Sequence, residues 1–198
     1  CSSDLYLTGS AGNVTAGKYN DGSQADREKL TDRVHSAMVK ADAAADARPR
    51  ETTRRLDSIR WRTSPISFKP REDLDLDRLR AIATDPKGTP NARNHAAMCY
   101  GWLVRCGQGR PILLSRLDLA DDVSVLHLPA ETFVEFQLEA QQVQPGRFLA
   151  TAAYGDGGPW YIPLTRSFGE GGYEPSVALV SPSTEPLYRA AIADLLRG

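Results

Sequence analysis

The sequence predicts an α+β fold, with an antiparallel β-meander in the C-terminal half packed against helices from the N-terminal half and a C-terminal helix. Three observations carry that prediction. Apolar residues up to about position 103 recur at helical spacing. From Arg110 the texture changes to period two, in short runs joined by turns and not by helices, as in a meander. Residues 185–197 then return to helical spacing, with Leu187, Ala191 and Leu195 on one side.

A chain of 198 residues, 41% hydrophobic and 25% charged, is large enough to close one core without metal or dense cross-links. Its formal net charge of −1 removes the bulk electrostatic argument for a nucleic-acid partner. Apolar runs such as residues 111–114 fall far short of the roughly 20 residues needed to span a bilayer.

Residues 2–23 are rich in Gly, Ser, Thr, Asn and Asp, with Gly9, Gly12, Gly17 and Gly22 at short intervals. That composition predicts a flexible tether, residues 1–23, ahead of a single domain, residues 24–198. Leu5, Tyr6 and Leu7 form an apolar island in it, either an edge strand or solvated, and Asn13–Thr15 read as an N-glycosylation sequon. Leu30, Val34, Ala37, Met38 and Ala41 then mark a helix capped by Ser23 and stopped by Pro49, its thin, Ala-rich stripe suited to a domain surface. Arginines crowd residues 48–62 beside Trp61, either a basic patch or a solvated face whose stems cover apolar surface. Residues 59–68 are extended, and Pro65 and Pro70 confine them to an edge.

Asp73, Asp75 and Asp77 superficially suggest a calcium loop, but its turn glycine and distant glutamate are missing. Leu76, Leu79 and Ile82 instead predict a short helix with acids in its first turn. Thr89 and Pro90 open the clearest core helix, with Ala92, Ala96, Cys99 and Leu103 on one face and Gly101, Gly107 or Gly109 as its end. Beyond Arg110, strands are expected at Ile112–Leu114, Val123–Val125, 134–140, 148–154, 160–164 and 177–179. The clean alternation of Val134, Phe136, Leu138 and Ala140 with Glu135, Gln137, Glu139 and Gln141 marks a half-buried strand with one wet face.

Catalytic signatures are nearly absent: no phosphate-binding glycine loop, nucleophile elbow, H-E-x-x-H, paired C-x-x-C or dinucleotide fingerprint. His35, His95 and His127 lie in three different elements, so neither a metal nor a cofactor is expected. His95 stands one helical turn before Cys99, a nucleophile arrangement that on an apolar helix face equally reads as buried packing. The strongest surface is residues 154–161, where Tyr154, Asp156, Trp160 and Tyr161 flank a glycine-rich turn. Rigid aromatics on such a loop suit a partner-binding site, the plain alternative being a hairpin turn. A second loop, residues 167–172 with Phe168 and Tyr173 at its ends, is a possible neighbour.

Cys1, Ser2, Ser3 and Asp4 at the start of the sequence resemble the mature N terminus of a bacterial lipoprotein, unless that start is an arbitrary boundary. The resemblance implies lipidation at Cys1 and, through Ser2, sorting to the periplasmic face of the outer membrane. A lipid on Cys1 would leave Cys99 and Cys106 in an oxidising compartment, where a disulfide is the expectation. Seven residues of unbroken helix rise about 10.5 Å, beyond the reach of that bond, so it requires the helix to end near Gly101. Otherwise both remain reduced thiols. The functional expectation is a lipid-anchored cell-envelope protein that binds another protein, as an accessory, inhibitor or immunity-type factor, without catalysis. The alternatives are an envelope hydrolase whose site is assembled only in the fold, and a carrier of lipid or a small ligand.

Overall fold

The computed structural model describes residues 7–17, 20–47 and 59–197. They divide into two compact units, Val14–Asp57 and, discontinuous in sequence, Cys1–Asn13 with Ser58–Gly198. Cys1, and with it the expected lipidation, lies outside the described residues.

The smaller unit is built on helix α1, Gln24–Asp46. The Ser23 hydroxyl accepts the Asp26 amide at 3.1 Å, satisfying one of the amides a helix leaves unpaired at its start. No residue of α1 is buried, and Val34 and Met38 of the predicted apolar stripe are exposed. The expected domain boundary at residue 23 is therefore not the one the structure draws: α1 belongs with residues 14–57, and residues before 14 belong to the larger unit.

The larger unit is α+β. Its elements are β1 (Arg60–Ile66), α2 (Leu76–Thr84), α3 (Pro90–Gly107), β2 (Ile112–Ala120), β3 (Val123–His127), β4 (Glu131–Thr132), α4 (Val134–Val143), β5 (Phe148–Ala152), β6 (Tyr161–Ile162), α5 (Thr165–Glu170), α6 (Tyr173–Val177) and α7 (Thr184–Arg197). One sheet has the order β1-β2-β3-β5 and a second pairs β4 with β6. Strands β1, β2 and β3 form an antiparallel meander, with Pro65 on the edge strand, where proline is tolerated.

Strand β5 joins β3 in parallel, a departure from the expected all-antiparallel meander. The cause is α4: residues 134–140, expected as a strand, are helical, and a helix between two strands lets the second return in the same direction. Phe136 and Ala140 are its buried residues. Their spacing of four satisfies both periods, while Glu, Gln, Leu and Ala are strong helix formers. Likewise residues 177–179 are not a strand; Val180 makes an isolated bridge to Pro70.

No side chain at the N-cap of α4, Phe133, serves as a cap. The cap comes instead from Asn13, whose Oδ1 accepts the Val134 amide at 2.9 Å. Neighbouring residues of the same segment are fixed too, since Ser10 N donates to Gln137 Oε1 at 2.8 Å and Gly12 N to the Thr132 carbonyl at 3.0 Å. A Cβ on Gly12 would meet the Glu131 carbonyl oxygen at 2.4 Å, so only glycine fits that approach. Residues 7–13 are therefore packed and not a tether. Asn13→Ala is expected to cost about 1 kcal/mol, the usual loss of an N-cap, and to lower the melting temperature of the intact chain by about 2–4 °C. An unchanged thermal melt would show that these contacts do not hold the segment.

The inner sheet face, with Ile66, Ile112, Leu114, Leu126 and Leu149, forms the core with Phe136 of α4 and Tyr188, Ile192, Leu195 and Leu196 of α7. A buried ionic cluster is set into that face. Arg116 and Asp118 are each 1% exposed. Asp118 accepts from Arg116 Nε at 2.6 Å, Arg62 Nη2 at 2.6 Å and Ser124 Oγ at 2.7 Å. Arg116 also donates from Nη1 to the Leu196 carbonyl at 2.7 Å, satisfying the last turn of α7.

Candidate functional site

Between β5 and β6 the backbone takes an uncommon course. Tyr154, Asp156 and Trp160 have φ of 69°, 46° and 61°, and Ala130, which faces them, has φ of 63°. Such left-handed conformations cost about 1–3 kcal/mol each for residues with a Cβ and persist only where the surroundings impose them. Here the surroundings are hydrogen bonds. Tyr154 N donates to the Ala130 carbonyl at 3.0 Å, Ala130 N to Gly155 at 2.7 Å, and Glu131 N to Trp160 at 2.7 Å. Ala153 N reaches the Thr8 carbonyl at 2.7 Å and Leu179 N the Pro159 carbonyl at 3.1 Å. Gly155 lets the loop close on His127, whose Nε2 would lie 2.4 Å from any Cβ there.

The four residues expected to bind a partner all lie in this segment but are not equivalent. Tyr154 is 41% exposed and Asp156 is also exposed. Trp160 is half-buried: it packs against the core and meets the His95 ring edge-on, with centroids 4.9 Å apart. Tyr161 is the register partner of Glu131 in the β4–β6 pair. Its ring packs edge-on against Tyr173 at 6.0 Å, so the start of α6 lies beside the loop. Burial, reinforced by a hydrogen bond to Glu131, pushes the Tyr161 hydroxyl up to about 12. Burial and the Glu131 charge also raise Tyr154. Both are proton donors at neutral pH.

Sequence reasoning missed Glu131, Ala130 and Glu174. No linear signal joins Glu131 to Tyr161; the parallel register of two very short strands does so.

The remaining candidates are not brought together. Cys99 and His95 approach to 3.8 Å within α3, but Cys99 is 1% exposed and burial pushes its thiol above the ordinary range, which leaves it protonated and shielded. The expected Cys99–Cys106 disulfide is not formed; both are free thiols. The physical reason is that α3 continues through Gly101 to Gly107, keeping the pair two turns apart. Among the described residues no three His, Cys, Asp or Glu side chains are gathered as metal ligands. In the acidic run, Asp75 caps α2 and Asp73 pairs with Arg71.

No protein-family model and no curated protein matches this chain. Among solved structures, a ceramidase complexed with C2 is similar over 43% of this chain and 14% of that one, with 17% identity and a TM-score of 0.38. Neutral ceramidase from Pseudomonas aeruginosa is similar over 70% of this chain and 28% of that one, with 16% identity and a TM-score of 0.45. The chain thus spans less than a third of either protein, and likeness at this level carries no argument for a shared fold or activity.

Proposed function

We propose that this chain is a non-catalytic protein-binding domain whose partner docks on the 154–161 loop. One observation carries the reading: three residues other than glycine held at positive φ within an aromatic loop, pinned by hydrogen bonds to β4 and to the N-terminal segment. Backbone strain of this kind concentrates at binding and catalytic sites, where a fixed conformation is part of the task. A loop that is already ordered loses little entropy on association, so Tyr154 and its neighbours contribute more of their contact energy to affinity.

Tyr154→Gly separates binding from folding. At φ of 69° glycine relieves strain, which offsets the about 0.5–1 kcal/mol that its greater freedom in the unfolded chain costs together with the packing lost from the half-exposed ring. The melting temperature is expected to stay within about 2 °C. Affinity for a partner captured from native extract by the intact chain and then purified is expected to fall at least about tenfold, the cost of losing one aromatic anchor. Unchanged affinity would remove this loop from the interface. A melting temperature lowered by many degrees would make Tyr154 a structural residue.

A further inference from the structure

Charge is distributed unevenly along this chain. Between Arg116 and Arg189 the sequence has ten carboxylates and only two cationic residues, Arg147 and Arg166. Most carboxylates of this half whose contacts are defined have a cation: Asp118 has Arg62 and Arg116, Glu135 has Arg166, and Glu139 and Glu185 share Arg189. Glu131 and Glu174 differ. Like Asp156 and Glu170, neither forms an ion pair among the described residues, but these two both bear electrostatically on Tyr161. Glu131 also bears on Tyr154.

Around these carboxylates stand three tyrosines. Tyr161 lies beside Glu131 by strand register, and Tyr173, 66% exposed, packs edge-on against Tyr161. Tyr154 is tied to the residue before Glu131 by the Tyr154–Ala130 backbone bond. Aromatic faces carry partial negative charge and attract cations, most strongly where water is partly excluded. Carboxylates next to such faces add a point charge of the same sign. A planar guanidinium can stack on a ring and pair with a carboxylate together, which a compact ammonium cannot do.

We propose that the Tyr154–Glu131–Tyr161–Tyr173–Glu174 surface receives an arginine side chain presented by the protein partner. This deepens the protein-binding reading and rests on it. The partner segment it fits is basic, with an arginine at its centre, because a neutral or acidic segment would leave Glu131 and Glu174 uncompensated at the interface.

The probe is a blocked synthetic peptide of repeated Arg-Gly-Ser, compared with its lysine and glutamate counterparts and titrated against the intact chain by fluorescence anisotropy. The arginine peptide is expected to bind, the lysine peptide several-fold more weakly, and the glutamate peptide not at all. Tyr173→Ala and Glu131→Gln are each expected to weaken arginine-peptide binding at least about fivefold. Asp121→Asn, which removes a charge outside the surface, is expected to leave it unchanged. Circular dichroism confirms the fold of each variant, and Glu174→Gln, a half-buried position outside the β4–β6 pair, repeats the test if Glu131→Gln fails to fold. No binding of the arginine peptide, equal binding of the lysine peptide, or equal losses with Asp121→Asn would overturn the proposal. If the native partner is still lost with Tyr154→Gly while the arginine peptide does not bind, the loop remains the interface and only the cation assignment falls.

Discussion

Replacing Asp118 by asparagine is expected to destabilise the larger unit by about 3–5 kcal/mol, the typical result of removing one member of a buried ion pair. Asp118 is the acceptor for Arg116, Arg62 and Ser124, and Arg116 is as deeply buried as the carboxylate it pairs with. Without the negative charge, the Arg116 guanidinium stays in the core uncompensated, and desolvation that the pair had offset becomes a net penalty. Urea titration at neutral pH is the measurement, with a fall in melting temperature on the order of 10 °C as its thermal counterpart. A loss under 1 kcal/mol would show that water enters and solvates Arg116. Replacing both partners together, Arg116→Met with Asp118→Leu, is expected to recover much of the loss, because it removes the orphaned charge itself.

The same cluster makes stability depend on pH. Burial alone would raise the Asp118 carboxyl; the hydrogen bonds from Arg62 and Ser124 and the Arg116 charge outweigh it and hold the group at about 2. A carboxyl whose folded value lies below its unfolded value, near 3.9, stabilises the fold when ionised. That contribution, about 2 kcal/mol, is complete above pH 5, declines through the unfolded value and is gone below about 2. Asp118→Asn is expected to flatten this part of the stability profile between pH 5 and 2.

Much of the helical framework was legible because its signals are local. Thr89 accepts the Ala92 amide and Pro90 occupies the first turn of α3, as the sequence alone suggests. Asp75 caps α2 within three residues. Strands β2 and β3 are adjacent and joined by a tight Asp121–Asp122 turn, so their alternation stood out. What was not legible depends on distant partners. Asn13 caps α4 from 121 residues away, so nothing next to Val134 announces a helix start. The same contact packs a glycine-rich segment whose composition suggested a tether. At the candidate site, the aromatic loop was visible as a cluster of Tyr and Trp. The strain that fixes it, and Glu131 at its centre, arise only when β4 and β6 pair in register.

Phe136→Ala is expected to cost about 3–5 kcal/mol, whereas Leu138→Ala in the same element costs about 0.5 kcal/mol. Had residues 134–140 been a strand, both side chains would share the buried face and the two losses would be comparable. On a helix they are 200° apart, at 100° per residue. Phe136 is 1% exposed and meets the Tyr188 ring edge-on at 5.0 Å. The Arg189 guanidinium covers it from 5.1 Å. Leu138, at 49% exposure, faces water. Truncating Phe136 loses its transfer energy and opens a cavity against Tyr188, whose hydroxyl is held by Thr132 at 3.1 Å and cannot follow without breaking that contact. Because Thr132 belongs to β4, which carries Glu131, the cavity borders the candidate site, and Phe136→Ala is expected to weaken partner binding indirectly while Phe136→Leu restores most of it. Chemical denaturation of the two alanine variants side by side decides the element: near-equal losses would return it to a strand, and a difference of 2 kcal/mol or more fixes it as the helix that turns β5 parallel to β3.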